Sequence, residues 1–169
     1  MLASNTALNS QAVGVAFDPS ATFRRILAPI DFSEASKRVL ATVLELQRRF
    51  GSEVWLFNVT EAGANDEFLA GIGGNGQTGN DLVSDATGRL QRFVENVFPG
   101  SSALVSYRSI VEVDLAKATD DVATKIGATL IVLGMHSSAS HVLRSTSEKI
   151  VQAVSCPVML VQGSEEPPH

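Results

Sequence analysis

Residues 26–31 read Ile-Leu-Ala-Pro-Ile-Asp, an apolar run of five residues that ends at an acid. Its apolar side chains do not alternate with polar ones, which is typical of a strand that is buried on both faces. Ser33 follows as a candidate N-cap, and Gly51 is a candidate helix end. Between them apolar residues recur at helical spacing: Ala35, Val39, Val43, Leu46 and Phe50. The stretch therefore predicts a buried strand that leads into an amphipathic helix.

Similar apolar runs recur along the chain, and amphipathic stretches separate them. We predict further strands over residues 54–59, 103–111, 129–133 and 157–161. We also predict three further helices: one closed by Pro99 and Gly100, one between Asp114 and Gly127, and one from about Ser147 to Val154. Strands buried on both faces need helices on both sides. The pattern thus predicts an α/β fold, a doubly wound, Rossmann-like five-stranded parallel sheet with helices on both faces.

In doubly wound sheets, ligands bind beyond the carboxyl ends of the strands, at the point where the strand order reverses. We expect this switch point where strands one and two end, near Pro29 and Val59. The loops after strands one to four are therefore the places to look for a site.

The length and composition limit the classes of function. The chain has 169 residues, 44% of them hydrophobic, and a formal net charge of −5. These values fit one folded domain and argue against a nucleic-acid partner, which needs clustered basic residues. We expect a flexible N-terminal extension over residues 1–22, the domain over 23–162 and a C-terminal tail over 163–169. A single cysteine, Cys156, and the lack of any apolar run of about 18 residues predict a cytoplasmic protein with no membrane partner.

Several short motifs are too weak to indicate a site. Gly71, Gly73 and Gly76 match G-x-G-x-x-G, but no strand leads directly into them, so we interpret residues 61–80 as a mobile glycine-rich loop. His136 and His141 lack a third ligand nearby in sequence. We therefore predict no metal site and no catalytic residues.

Two longer segments together resemble the universal stress proteins. The first, residues 25–36, reads RILAPIDFSEAS and matches the family's opening strand, acid and first helix. The second begins with ATLIVLGMH at residues 128–136 and continues through STSEKI at 145–150 to SCPVMLV at 155–161. The resemblance covers nearly all of the predicted domain.

The resemblance implies an adenine nucleotide site. Nucleotide-binding members carry a motif similar to G-x2-G-x9-G-[S/T], whose glycines and following helix hold phosphates, with the acid after strand one near the adenine. The resemblance implies that the adenine lies against Pro29, Asp31 and Val59. It also implies that the phosphates bind at Gly134 and at the N–H groups around the start of the last helix. The residues so implied are Pro29, Asp31, Val59, Gly134, Met135, Arg144, Ser145 and Ser147.

This sequence departs from that motif in ways that weaken the predicted phosphate site. Ser137 and Arg144 stand where the family has glycines, and the segment before Arg144 is shortened to six residues. Arg144 either supplies a charge to a phosphate or is a solvated arginine. Ser145 to Glu148 also fits a capping box, which would explain Ser145 without a ligand.

The first functional hypothesis is a non-catalytic, stress-response binding and assembly module with weak or no ATP binding. The alternative is an ATP- or AMP-binding member, with Mg²⁺ and slow ATP hydrolysis. The resemblance also implies a homodimer through strand five, which should be a sheet edge. Proline at Met159 is expected to shift that dimer toward monomer.

Overall fold

The computed structural model describes residues 18–60, 79–135 and 141–162, without the side chains of 79–82 and 141–145. The predicted loop before residue 79, residues 1–17 of the predicted extension and the C-terminal tail lie outside this part. The strands are β1 (Arg25–Pro29), β2 (Glu53–Thr60), β3 (Ser106–Val111), β4 (Leu130–Met135) and β5 (Val158–Gln162). The main helices are α1 (Glu34–Phe50), α2 (Gly79–Val97), α3 (Leu115–Ile126) and α4 (His141–Ala153).

The five strands form one parallel sheet in the order β3-β2-β1-β4-β5. One face of the sheet packs against α1 and α2, through residues such as Ile26, Val39 and Leu90. The other face packs against α3 and α4, through residues such as Phe57, Val122 and Ile150. The predicted doubly wound sheet is confirmed. Its order reverses between β1 and β4, so the switch point lies there and not between β1 and β2 as predicted.

The predicted ends of α1 and α3 are confirmed by their capping groups. Ser33 Oγ accepts a hydrogen bond from Ser36 N at 3.2 Å, and α1 ends at Gly51 with φ 67°. Asp114 accepts bonds from two backbone N–H groups at the start of α3, which ends at Gly127 with φ 64°. Both glycines adopt the left-handed conformation that other residues avoid.

Two element starts differ from the prediction. Residues 102–104 form a 3₁₀ turn, so β3 begins at Ser106. The Tyr107 hydroxyl donates to Ser102 O at 2.8 Å and Gln47 Nε2 donates to Leu104 O, which hold the turn. Leu104 is exposed. Its apolar side chain lies in the predicted strand over residues 103–111, but it does not belong to the sheet.

The start of α4 is the second difference. This helix begins at His141, six residues before Ser147. Ser145 therefore lies inside the helix, and its interpretation as the N-cap of a capping box is wrong. An interior helical residue already has its N–H bonded to the carbonyl four residues earlier.

The predicted N-terminal extension also contains local structure where the structure describes it. Pro19–Thr22 form one helical turn, in which the Asp18 carboxylate accepts from Ser20 N at 2.9 Å. Phe23 follows and stacks on Phe50 with ring centroids 4.7 Å apart. The chain is thus anchored to α1 two residues before β1 begins.

We predict that Ser109→Ala leaves the free energy of unfolding unchanged or raises it by up to about 1 kcal/mol, because an unbonded buried hydroxyl costs desolvation energy. Ser109 is 7% exposed, and its Oγ has no hydrogen-bond partner in the described part of the chain. Urea denaturation measures the change. Thr119→Val is the control, since the buried Thr119 hydroxyl donates to Leu115 O at 2.7 Å, and its loss should cost about 1 kcal/mol. A loss of stability in Ser109→Ala equal to that of the control would contradict the prediction.

Candidate ligand-binding site

A cleft opens where β1 separates from β4. The ladder between them has only the pairs Ile26–Leu130 and Leu27–Ile131 in the described structure, whereas β1 pairs with β2 along its whole length. Ile30 N donates to Phe57 O at 2.7 Å, so the backbone groups of Ile30 face β2. In a strand, the backbone groups of the preceding residue point to the opposite side. The nitrogen of Pro29 therefore faces β4, where proline has no hydrogen to donate. The missing donor accounts for the end of the ladder and the start of the cleft.

The cleft holds a cavity of about 130 Å³ at the carboxyl edge of the sheet. Its apolar wall comes from the strands and from the helices of the α3–α4 face. Its polar groups come from the first turn of α1, the end of β2 and the middle of α4. The lining residues are Pro29, Ile30, Asp31, Ser33, Ala35, Ser36, Phe57, Asn58, Val59, Leu115, Leu133, Gly134, Thr146, Ser147 and Ile150.

The turn between β1 and α1 is built on the carboxylate of Asp31. Its Oδ1 accepts bonds from Ser33 N at 3.0 Å, from Ser33 Oγ and from Ser36 Oγ at 2.6 Å. Asp31 N in turn donates to Ser36 Oγ at 3.0 Å. Asp31 therefore has a structural role in addition to its predicted place at a ligand.

Phe32, between these residues, has φ 65°, an uncommon conformation for a non-glycine residue. Its ring packs edge-on against Phe93 with centroids 5.5 Å apart, and the Arg89 guanidinium lies 4.9 Å from the ring centroid. These contacts hold Phe32 on the α1–α2 face while the peptide before it turns toward the cavity. The sequence does not predict this conformation, because bulky aromatic residues rarely adopt a positive φ.

Gly134 is a glycine because α1 passes close to β4. A Cβ added at this position would lie 3.1 Å from Ala35 Cβ and 3.3 Å from Val39 Cγ2. The close approach of the helix therefore explains this glycine without a phosphate.

The structure brings together five of the residues predicted for the site: Pro29, Asp31, Val59, Gly134 and Ser147 all line the cavity. Met135 ends β4 and is not among the described lining residues. The side chains of Arg144 and Ser145 lie outside the described part of the structure. Whether any of the eight contacts a ligand stays a prediction.

Sequence reasoning missed several polar groups of the cavity. Asn58 is buried, and its Nδ2 donates to Ile30 O at 2.8 Å, tying the ends of β1 and β2 together. A lone amide in an otherwise apolar strand was the available signal. The other missed polar residues are Ser33, Ser36 and Thr146, which resemble ordinary helix residues in the sequence.

The electrostatic character of the cavity is mildly acidic. Asp31 is its one ionisable side chain among the described lining residues, which include no lysine or arginine. Within the described part of the chain no group of three or more His, Cys, Asp or Glu could hold a metal ion. Cys156 lies outside the lining, and burial raises the pKa of its thiol, with a smaller contribution from Asp120. The thiol is thus kept protonated, as expected for a structural cysteine.

Comparison with known proteins identifies the family. A model of the universal stress protein family matches residues 22–162. The chain belongs to the universal stress protein family. Comparison with curated proteins gave no match. Among the described helices, none is long and apolar enough to cross a membrane.

Several solved structures share the fold, and two of the following three are universal stress proteins by name. A hypothetical protein designated PH0823 is 25% identical, with a TM-score of 0.61 over 86% of this chain and 99% of that one. UspA from Lactobacillus plantarum is 20% identical, with a TM-score of 0.57 over 82% and 97%. A universal stress protein from Archaeoglobus fulgidus in complex with dAMP is 15% identical, with a TM-score of 0.51 over 82% and 98%.

We predict that Gly134→Ala lowers the free energy of unfolding by about 1–3 kcal/mol in the absence of any ligand, because the new methyl group would lie 3.1 Å from Ala35 Cβ and would require the buried start of α1 to move by a few tenths of an ångström. Urea denaturation of the ligand-free protein measures the loss. Gly88→Ala is the matched control: its Cβ would meet only the flexible end of Arg92 at 3.6 Å, and alanine favours the helix by about 0.5–1 kcal/mol. A ligand-free Gly134→Ala variant as stable as the parent would show that packing does not require this glycine.

Proposed function

We propose that this universal stress protein is a non-catalytic stress-response module that works by binding and assembly, with weak or no binding of ATP. The observation that carries the proposal is the cavity at the β1–β4 cleft. Its volume of about 130 Å³ is below the roughly 300–1,000 Å³ typical of small-molecule sites. Its described lining also has no cation to neutralise a triphosphate.

Two features of the described residues support weak binding of ATP with Mg²⁺. The amide groups of Thr146 and Ser147 lie in the second turn of α4 and are committed to the helix, so they are not the free donors of a helix start. Gly134 lies close to α1, where an added Cβ would be 3.1 Å from Ala35 Cβ. The helix amides and this glycine therefore both have a role in the fold that needs no phosphate.

The second candidate is an ATP- or AMP-binding protein with slow hydrolysis. It is favoured by the dAMP complex of the Archaeoglobus fulgidus neighbour and by the position of Asp31 and Val59 in the cavity wall. In that pose the adenine lies against Pro29, Asp31 and Val59, at the carboxyl ends of β1 and β2. Hydrolysis has less support, because the described lining offers no metal ligand set and no base placed for an attacking water.

We predict that ATP with Mg²⁺ binds with a dissociation constant on the order of 100 μM or weaker, equivalent to roughly 5.5 kcal/mol or less. Isothermal titration calorimetry measures the constant, and phosphate release over hours measures hydrolysis. Low-micromolar binding would overturn the proposal. Phosphate release that exceeds a heat-denatured control and is lost in Asp31→Ala would favour the second candidate.

We also propose that the protein forms a homodimer through the edge strand β5. We propose a cytoplasmic location, because the cytoplasm keeps a single cysteine such as Cys156 reduced. Among the described strands β5 pairs only with β4 and forms the edge of the sheet, and its Leu160 is 47% exposed. An unpaired apolar edge is a template for a second strand. A symmetric partner would satisfy both edges at once.

The strand register changes the choice of test residue. Ile131 N donates to Pro157 O at 2.9 Å, so the backbone groups of Pro157 and Met159 face β4. Those of Val158 and Leu160 face the free edge. Proline at Met159 would therefore remove a ladder donor that pairs β5 with β4 inside the subunit, and its effect on the dimer stays a prediction. Leu160 is the residue that tests the free edge.

We predict that Leu160→Pro shifts the protein from a dimer toward the chain mass of 17.9 kDa, because the edge loses an N–H donor. Light scattering at micromolar concentration measures the mass. Leu160→Lys, which keeps the donor and adds an edge charge, should weaken the dimer too. Leu104→Lys is the control, because Leu104 is also exposed, at 56%, and lies beside β3 at the opposite end of the sheet from β5. A parent protein of single-chain mass at this concentration would refute the dimer.

A further inference from the structure

We infer that Phe32 is a positioning residue, through which α2 holds the wall of the cavity in its observed shape. The contacts of its ring with Arg89 and Phe93 keep Phe32 in the left-handed conformation, and that conformation keeps the turn between β1 and α1 in place. This inference goes beyond the proposed function. It concerns the turn in the ligand-free protein and can be tested whether or not ATP binds.

The place of Phe32 in the chain connects two sides of the molecule. The residues before and after it, Asp31 and Ser33, line the cavity, and so does Ser36 in the first turn of α1. The Phe32 ring packs against the core on the α1–α2 face of the sheet. A movement of the ring is therefore passed to the cavity wall through one peptide unit on each side.

The backbone of Phe32 has a conformation that its side chain disfavours. Its φ is 65°, which brings Cβ of an L-residue close to the following carbonyl oxygen. Such a conformation persists only where the surrounding contacts determine it. If the ring left α2, residue 32 could return to a negative φ, and the peptides that join it to Asp31 and Ser33 would change direction.

The contacts that oppose this change come from α2. The Phe93 ring meets the Phe32 ring at an interplanar angle of 82°, a favourable edge-on arrangement of two aromatic rings. The Arg89 guanidinium lies 4.9 Å from the Phe32 ring centroid, within the range of a cation–π contact. Arg89 is exposed and Phe93 is half-buried. The exposed side of α2 thus has an influence on the cavity wall.

Hydrogen bonds that span Phe32 transmit its conformation to the start of α1. Ser33 N donates to Asp31 Oδ1 at 3.0 Å, and Asp31 N donates to Ser36 Oγ at 3.0 Å. Ser36 Oγ in turn donates to Asp31 Oδ1 at 2.6 Å. These bonds join residue 31 to residues 33 and 36, so they form only when the peptides on both sides of Phe32 are correctly oriented.

Two substitutions at position 32 test the inference in the ligand-free protein. Phe32→Gly and Phe32→Ala both remove the ring, but only alanine disfavours the left-handed conformation. Hydrogen exchange followed by NMR measures how often the bonds of the Asp31 and Ser33 N–H groups open. We expect exchange of both groups to be about tenfold faster in Phe32→Ala than in Phe32→Gly. Exchange in Phe32→Gly should lie within about threefold of the parent, because glycine removes the strain together with the contacts.

Substitutions on α2 test whether this helix holds the turn. Arg89→Gln and Phe93→Leu should each speed exchange of the same two N–H groups by about threefold. Neither should have an effect in the Phe32→Gly background, where α2 has no ring to contact. Arg92→Gln is the matched control and should leave the turn unchanged, since Arg92 is an exposed arginine of the same helix that pairs with Asp85 at 3.9 Å.

A bond beyond the carboxyl end of α2 provides the reference for global stability. Gly100 N donates to Glu95 Oε1 at 2.8 Å, which is also a bond from a backbone N–H to a carboxylate. Exchange of the Gly100 N–H should stay the same in all these variants. Acceleration at Gly100 equal to that at Ser33 would show a global loss of stability and would contradict a local role for Phe32.

Two further results would overturn the inference. Exchange in Phe32→Gly as fast as in Phe32→Ala would show that the ring only fills space. Unchanged exchange in both Arg89→Gln and Phe93→Leu would show that the bonds of Asp31 hold the turn without α2. Low-micromolar ATP binding, in contrast, would overturn the proposed function and leave this inference standing.

Discussion

The arrangement of the site depends on one missing hydrogen-bond donor, the proline nitrogen at position 29. Because this nitrogen faces β4, the central pair of strands cannot continue their ladder, and they part at the carboxyl edge of the sheet. The parting coincides with the reversal of strand order, where the helices also leave in opposite directions. Topology alone would place a crevice here, and Pro29 sets where along β1 it begins.

The turn that follows shows how one carboxylate serves the fold and the site together. The Asp31 carboxylate accepts three hydrogen bonds, two from Ser33 and one from Ser36. These bonds stabilise the turn between β1 and the start of α1. The same group supplies the charge of the cavity. The strained Phe32 lies within this turn and is held by Phe93 and Arg89 from α2. Local polar bonds and packing from the opposite side of the sheet thus fix the wall of the cleft.

Two residues that the family resemblance implied for phosphates, Gly134 and Ser147, have places in the fold that need no ligand. Gly134 admits α1 against β4, and Ser147 lies within α4 instead of at its beginning. What is left at the carboxyl edge is a small, mildly acidic cavity lined by hydroxyls. We propose that ligand binding takes place at this cavity and that assembly takes place at the edge of β5. The two proposals therefore place binding and assembly at different parts of one sheet.

Local patterns in the sequence were sufficient to predict the fold class and the edge of the sheet at which the cavity lies. Unbroken apolar runs required a sheet covered on both faces, and Ser33, Gly51, Asp114 and Gly127 marked helix ends through local bonds that neighbouring residues determine. Five of the eight predicted site residues line one cavity. Most of them follow the carboxyl ends of parallel strands, which lie at a common edge of the sheet. Tertiary structure decided the rest: the reversal between β1 and β4, the start of α4 and the contact that makes Gly134 a glycine. These depend on which elements meet across long sequence separations, and no local pattern encodes those distances.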